Sequence, residues 1–186
     1  MATSQSCRAL TVKLYCALHC KDNKMYSLNL PSYAIKVGGP KARPAVLDPL
    51  RGKYVALTPE EWVRQHFIHF LISQKGYPKM LLANEVPLSI GNKNLRADSV
   101  LYDNELRPRM IIEYKAPTIP LSQKVFDQIT VYNMLLHVDY LIVSNGLQHV
   151  CCKMDYPNNS YSFLEEIPNY TVIKASFASS FSQGDQ

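Results

Sequence analysis

Apolar residues between Thr58 and Gly76 recur every three or four positions, which is the spacing of one face of an α-helix. The apolar positions of this segment are Val63, Phe67, Phe70 and Leu71. Thr58 is a favourable N-cap and Pro59 suits the first helical position, while Glu61 follows Thr58 at the spacing of a capping box. Gly76 predicts the end of the helix.

Alternation of apolar and polar residues predicts strands in the middle of the chain. The segments "MLLANEVPLSI" and "LRADSVLYD" flank the turn "GNKN" and predict a hairpin, and "MIIEYKAP" predicts a third strand that ends before Pro117. A second helix is predicted from Ser122 through "SQKVFDQITVYNMLLH". A second hairpin, "DYLIVSN" with "LQHVCCKMD", and an edge strand "SYSFLEEI" follow. This order predicts an α/β fold with a mixed β-sheet flanked by helices.

The residues before the first helix have a weaker pattern. Residues 1–24 show no clear periodicity, which leaves open that they form a poorly ordered extension. "MYSLNLPSYAIKV" is consistent with either an edge strand or an extended arm, and "GGPKARPAVLDPLRGK" predicts a loop or linker. We therefore expect an extension and linker over residues 1–52, one domain over 53–175 and a flexible tail over 176–186.

Composition narrows the class of protein. With 47% hydrophobic residues, the 186-residue chain suits one domain with a substantial core. No apolar stretch approaches the roughly 20 residues of a membrane helix, and no secretory signal is recognisable. Five cysteines without regular spacing indicate a reducing compartment, so we expect a cytoplasmic protein. The net charge of +5 mildly favours polyanionic partners.

Two carboxylates and an ammonium group stand on neighbouring predicted strands. Strand periodicity places Glu113 and Lys115 on one face of their strand, and Arg96, Asp98 and Val100 on one face of the preceding strand. If these strands pair, Asp98 and Glu113 converge on one cation, while Lys115 helps to offset their charge. The alternative is a solvent-facing ion pair without catalytic meaning.

Four segments carry a resemblance to a known family: "LTPEEWVRQHFIHFLISQKGYPK", "RADSVLYD", "IIEYKAP" and "DQITVYNMLL". A glutamate in an opening helix, an aspartate at a strand end, E-x-K on the next strand and a following helix resemble the PD-(D/E)xK nuclease superfamily. More closely, these segments resemble the N-terminal nuclease domain of type I restriction enzyme R (HsdR) subunits. The resemblance covers residues from about Lys53 to Pro168.

The resemblance implies a restriction-endonuclease-like fold and an ordered set of catalytic residues. This set is Glu60, Asp98, Glu113, Lys115, Gln128 and Tyr132. Gln128 and Tyr132 match the Q-x-x-x-Y helix motif of the family and share a helix face, where they would hold the DNA backbone or Lys115 in place. Ala97 replaces the proline that precedes the aspartate in the family. We expect this change to be tolerated because a metal needs the carboxylate.

In this hypothesis, Asp98, Glu113 and the backbone carbonyl of Tyr114 bind Mg²⁺ or Mn²⁺. Lys115 orients or deprotonates the attacking water, and Glu60 reaches toward the metal through water. Arg96 is a candidate contact to a DNA phosphate, together with Gln128 and Tyr132.

The expected function is therefore metal-dependent endonucleolytic cleavage of DNA in restriction or defence. The chain has no ATP-binding G-x-x-x-x-G-K-[ST] sequence, so any motor comes from restriction-system or helicase subunits in trans. A homodimer would suit cutting both strands, although no residue argues for one. Two alternatives stay open: a non-catalytic DNA-binding or assembly module of the same fold, and an α/β protein whose carboxylates form structural ion pairs.

Overall fold

The computed structural model describes residues 26–40, 42–90 and 93–179. The extension expected at residues 1–24 lies outside these ranges. The same is true of residues 91–92, in the predicted "GNKN" turn, and of residues 180–186, in the expected tail.

A small antiparallel sheet precedes the first helix. Its strands are β1 (Val37–Gly38), β2 (Ala45–Asp48) and β3 (Lys53–Ala56), in that order across the sheet. Ile35, Val46 and Leu57 form a buried core beside these strands, and Trp62 packs against it from the following helix. The linker expected up to residue 52 is therefore wrong for this part of the chain, because apolar residues between the glycines and prolines pack together.

The first helix, α1 (Pro59–Ser73), begins where the sequence predicts. The hydroxyl oxygen of Thr58 accepts a hydrogen bond from the backbone N–H of Glu61 at 3.0 Å, which confirms the N-cap. The reciprocal half of the capping box is not formed, because the backbone N–H of Thr58 donates to the carbonyl of Ala56 instead. The Glu61 carboxylate is thereby available to accept from Arg64 and Gln65.

Six strands form the main sheet. They are β4 (Leu82–Ile90), β5 (Lys93–Tyr102), β6 (Pro108–Tyr114), β7 (Tyr140–Ser144), β8 (His149–Asp155) and β9 (Ser160–Leu164), and they lie in this order. Neighbouring strands are antiparallel except for β6 and β7, which are parallel. The predicted mixed sheet, both hairpins and the edge position of β9 are thus confirmed.

The parallel pair β6–β7 requires a crossover, and the predicted second helix provides it as α2 (Gln123–Leu136). The helices α1 and α2 cover opposite faces of the sheet. Val63, Phe67 and Leu71 of α1 belong to one hydrophobic core, and Val125 and Ile129 of α2 belong to another. The sheet is therefore buried on both faces, which explains the continuous apolar run at the centre of β6.

A third helix, α3 (Tyr170–Ser179), completes the fold. It overlaps the tail that the sequence predicts from residue 176, so the expected boundary is wrong. The physical reason is packing: Ile173 is fully buried and Phe177 is 7% exposed, and both join the core on the α1 side of the sheet. Within the described ranges, no helix has the length and apolar character needed to cross a membrane.

The packing of α3 can be tested with two neighbouring residues. Ile173→Ala should lower the free energy of unfolding by about 2–5 kcal/mol, because it removes buried methyl groups and leaves a cavity. Val172→Ala, on the exposed side of the same helix, should change it by less than about 0.5 kcal/mol. Urea unfolding measures both values, and equal effects of the two substitutions would contradict the packed arrangement.

Candidate functional site

Asp98 and Glu113 meet where β5 and β6 lie side by side. The antiparallel register pairs Ser99 with Ile112, and its extension by one residue places Asp98 opposite Glu113. The Oδ2 atom of Asp98 accepts a hydrogen bond from the backbone N–H of Tyr114 at 2.9 Å. Both acids are buried, since Asp98 is 8% exposed and Glu113 is 3% exposed. The two acids therefore lie on neighbouring strands at the end of β6, where the charge of Asp98 affects the pKa of Glu113.

Lys115, Gln128 and Tyr132 are connected to Glu113 through a chain of hydrogen bonds. The Nζ atom of Lys115 donates to Glu113 Oε1 at 2.9 Å and to Gln128 Oε1 at 3.1 Å. Gln128 Nε2 in turn donates to Glu113 Oε1 at 2.6 Å and to the hydroxyl of Tyr132 at 3.0 Å. Because α2 follows β6 and packs over it, the Q-x-x-x-Y pair of this helix reaches the acid and the amine at the strand end.

The alternation of β5 is interrupted near Asp98, which corrects the expected faces. Strict alternation would place Ala97 and Leu101 on the same face, yet Ala97 packs in the core on the α2 side and Leu101 in the core on the α1 side. The interruption coincides with Glu85, whose φ of 60° breaks the extended conformation of β4. Glu85 and Asp98 are also skipped in the β4–β5 pairing, which resumes on either side of them. Arg96 and Val100 consequently do not share a face.

Arg64 is a member of the site that the sequence analysis misses. Its Nη2 atom donates to Asp98 Oδ1 at 2.6 Å, and its Nη1 atom donates to Glu61 Oε2 at 2.9 Å and to Glu85 Oε1 at 2.5 Å. The guanidinium also lies over the ring of Tyr114, with 5.6 Å between Cζ and the ring centroid. Arg64 follows Glu60 by four residues along α1, and this helical spacing is the one local signal that could have found it.

Glu60 and Arg96 lie at the margin of the site. Glu60 is half-buried, and its charge contributes to the pKa values of Glu113 and Lys115. Arg96 has an exposed side chain whose Nε atom lies 2.5 Å from Glu85 Oε2. The structure thus brings Asp98, Glu113, Lys115, Gln128 and Tyr132 together, with Glu60 and Arg96 around them.

The comparison with protein families identifies the relatives of this chain. The family described as type I restriction enzyme R protein N terminus matches residues 59–168, which is more than half of the chain. This chain belongs to that family. The matched region begins with α1 and ends after β9, so it contains every residue of the candidate site. No curated protein matches the chain.

A solved structure also resembles this R-protein N-terminal domain. It is a fragment described as an HsdR subunit of a type I restriction enzyme from Vibrio vulnificus YJ016, with 18% sequence identity and a TM-score of 0.48. The match covers 66% of this chain and 26% of the other, so the chain spans about a quarter of the length of that fragment.

Burial and mutual repulsion raise the pKa values of two carboxyl groups in the site of this R-protein N-terminal domain. Burial, with the negative charge of Asp98, raises the pKa of Glu113 to about 7. The same two causes raise the pKa of Glu60 above its usual range. Burial would lower the pKa of Lys115, but the hydrogen bond to Glu113 and the surrounding acids outweigh it and raise that pKa. Lys115 is therefore protonated near neutral pH.

The charged groups of the site do not balance. Its acidic members are Glu60, Glu61, Glu85, Asp98 and Glu113, and its basic members are Arg64, Arg96 and Lys115. Arg51 lies 3.5 Å from Glu61 but is counted with Asp48, its closer partner. With all groups ionised, five carboxylates face three cations, which leaves two negative charges that one divalent ion would neutralise.

One oxygen of this buried site has no partner of its own. Glu113 Oε2 is buried and makes no hydrogen bond within the described residues, whereas Oε1 accepts from Lys115 and Gln128. A carboxylate oxygen in this situation is a suitable ligand for a hard cation, and Asp98 lies beside it. The backbone N–H of Tyr114 points to Asp98. Because the N–H and C=O groups of a strand residue face the same neighbouring strand, we expect the carbonyl of Tyr114 on this side as well.

The raised pKa of Glu113 predicts how stability depends on pH in a chelator. Between the ordinary value of 4.5 and about 7, the folded chain holds a proton that the unfolded chain has released. The stability that this proton contributes is present at low pH and is lost as the pH rises through about 7. Between about pH 5 and about pH 8, the wild type should lose more unfolding free energy than Glu113→Gln, by on the order of 2 kcal/mol.

Urea unfolding of both proteins at the two pH values measures this difference. The Glu113→Gln substitution keeps the size of the side chain and one oxygen atom. Glu60, whose pKa is also raised, contributes to the pH dependence of both proteins. If the stability of the two proteins depended on pH in the same way, the pKa of Glu113 would not be raised by folding.

Proposed function

We propose that this chain is a metal-dependent endonuclease-like domain that hydrolyses phosphodiester bonds of DNA in a restriction or defence system. The observation that carries this proposal is the buried pair Asp98 and Glu113 beside the ammonium group of Lys115. One carboxylate oxygen of Glu113 has no hydrogen-bond partner among the described residues. Membership of the R-protein N-terminal family supports the same function. A solvent-facing ion pair would not need this degree of burial.

The proposed metal ligands are Asp98, Glu113 and the backbone carbonyl of Tyr114, and the ion is Mg²⁺ or Mn²⁺. Oxygen donors suit both ions. The two excess negative charges of the site equal in size the positive charge of one such ion. When bound, such an ion polarises a phosphate and lowers the pKa of a coordinated water. Glu60, half-buried at the margin, would reach the ion through a further water.

Lys115 is proposed to orient the attacking water and to stabilise negative charge that develops on the phosphate. Its raised pKa supports this role over deprotonation of the water, because a lysine that stays protonated cannot accept a proton. Gln128 holds the ammonium group and the Glu113 carboxylate at a fixed separation, and Tyr132 anchors the amide of Gln128. Tyr132 is only 8% exposed, which supports positioning of Lys115 over direct contact with DNA.

Arg96 is the proposed contact to DNA. Its exposed guanidinium stands at the margin of the site and is held by Glu85, so it could exchange this ion pair for a phosphate. Sequence specificity and translocation are proposed to come from restriction-system or helicase subunits in trans. A second copy of this chain is the proposed source of a second active site where both strands are cut.

A non-catalytic DNA-binding or assembly module is the second candidate function, and one observation favours it. Both oxygens of Asp98 are already engaged, Oδ1 by Arg64 and Oδ2 by the N–H of Tyr114. In the part of the chain that the structure describes, no three His, Cys, Asp or Glu side chains are grouped to hold a metal ion. A module that keeps the fold without turnover would tolerate both features.

Cleavage of supercoiled plasmid separates the two functions. We expect nicking with Mg²⁺ or Mn²⁺ and none with chelator. Lys115→Ala should reduce the rate by at least about 100-fold, because it removes the cation at the site of developing charge. The matched control is Lys124→Ala, an exposed lysine on α2, which should keep the wild-type rate.

Asp98→Asn, checked for folding by far-UV circular dichroism, should lose nicking as well. Full nicking by both Lys115→Ala and Asp98→Asn would defeat the catalytic assignment. Binding of DNA by the wild type without any nicking would favour the non-catalytic module.

The contact proposed for Arg96 predicts a change in salt dependence. Arg96→Gln should weaken DNA binding whatever the sequence and should lower the slope of log affinity against log salt by about one. Lys153→Gln is the control, because Lys153 is an exposed residue of β8, three strands away from β5 in the sheet. Fluorescence anisotropy over a salt series measures the slopes, and an equal change in the two variants would rule out a specific contact.

A further inference from the structure

A pocket beside the small antiparallel sheet carries an unbalanced positive charge. It has a volume of about 400 Å³, which is large enough to hold a small ligand group. Three basic residues from separate parts of the chain line it. They are Lys36 before β1, His69 near the end of α1 and Lys79 before β4, and the pocket is here called the basic pocket.

Asp48 is the acidic residue among the described residues of this lining, but its carboxylate is already occupied. Its Oδ1 atom accepts hydrogen bonds from the backbone N–H groups of Leu50 at 2.8 Å and Arg51 at 3.1 Å. Its Oδ2 atom accepts from the side chains of Asn84, at 2.9 Å, and Arg51. Burial would raise the pKa of Asp48, but the hydrogen bonds from Asn84 and Arg51 outweigh it. The charge of Asp48 is therefore matched by Arg51 and does not neutralise the two lysines.

The two lysines of the basic pocket have no acidic partner of their own. Both side chains are exposed, and neither Lys36 nor Lys79 forms an ion pair with a carboxylate among the described residues. Lys174 provides a contrast, because the pocket that it lines also contains Asp103 and Glu105. Like charges on one concave surface produce a positive potential, which attracts anions.

His69 responds to the same positive charge. Burial, together with the charge of Lys79, lowers the pKa of His69. Its ring is stacked on the ring of Tyr33, with 5.3 Å between the centroids, which fixes it at the wall of the pocket. A bound anion would favour the protonated imidazole, whose two N–H groups both donate hydrogen bonds. The histidine thus adds a charge and a donor when an anion enters.

The basic pocket lies along α1 from the candidate active site. Glu61, Gln65 and His69 follow one another at intervals of four residues, so they lie on one side of the helix. Glu61 contacts Arg64, which in turn contacts Asp98. The eight residues from Glu61 to His69 rise by about 12 Å. About four phosphates of one DNA strand cover this distance along the duplex axis.

We propose that the basic pocket binds a phosphate group, and that this group belongs to the backbone of the DNA beside the scissile bond. Lys36 and Lys79 supply the charge, and His69 supplies a further donor. The DNA source rests on the proposed function, whereas the affinity for a phosphate group rests on the pocket alone. A free phosphorylated molecule offers the same group, so two measurements distinguish the sources.

The first measurement is DNA binding in chelator, followed by fluorescence anisotropy over a salt series. The double variant Lys36→Gln with Lys79→Gln should lower the slope of log affinity against log salt by about two, because two phosphate contacts are lost. The control is Lys153→Gln with Lys174→Gln, which has the same net charge and changes exposed lysines of β8 and α3. This control should keep the wild-type slope, and equal slopes of the two double variants would overturn the DNA contact.

The second measurement is a titration with inorganic phosphate at constant pH and ionic strength, followed by NMR of the histidine rings. The ring signals of His69, assigned with His69→Gln, should move in a saturable manner in the wild type. They should not do so in Lys36→Gln with Lys79→Gln. His137, which is exposed at the C-terminal end of α2, is the internal control and should not respond.

The combined outcomes separate this inference from the proposed function. A saturable shift of His69 with a lowered salt slope supports the inference in full. Phosphate binding without a change of slope would overturn DNA as the source and leave a site for a free phosphorylated molecule. A lowered slope without phosphate binding would overturn the pocket as a phosphate site. If the wild type binds no DNA, the proposed function fails, and the phosphate titration still decides whether the pocket takes this anion.

Discussion

The burial of like charges is the constraint on which the site of this protein depends. Asp98 and Glu113 are brought side by side in surroundings where neither is well hydrated, and Glu61 and Glu85 stand close to Asp98. Desolvation and repulsion both oppose ionisation there, so such acids persist only with cations close by or with a proton retained. Arg64, Lys115 and the raised pKa of Glu113 are three responses to this single problem.

The fold supplies the stability that offsets the cost of burying these charges. Two separate hydrophobic cores lie on opposite faces of the main sheet, one under α1 and α3 and the other under α2. Replacing buried ion pairs by apolar residues is often neutral or stabilising in proteins, so the cluster itself is a poor explanation of why the chain folds. The packing of the two hydrophobic cores accounts for the fold better than these charges do.

Much of this arrangement is predictable from local patterns, and the remainder depends on distant contacts. Thr58 with Pro59 marks the start of α1, and the apolar run that ends in Glu113 marks a strand buried on both faces. The strands β1–β3 escape prediction because they are short and stand between prolines and glycines. Arg64 meets Glu85 across 21 residues and Asp98 across 34, and no periodicity within one element reports such pairs.

The interruption at Glu85 explains why the site cannot be derived from ideal strands. Strict alternation would direct Asp98 to one face of the sheet, yet its carboxylate contacts Arg64 from α1 and also lies beside Glu113, which is bonded to Gln128 from α2. The positive φ of Glu85 and the gap in pairing beside it allow this double orientation. Asp98 thereby couples the two helices through charge, so a change at Arg64 on one face of the sheet must alter the electrostatic surroundings of Glu113 on the other.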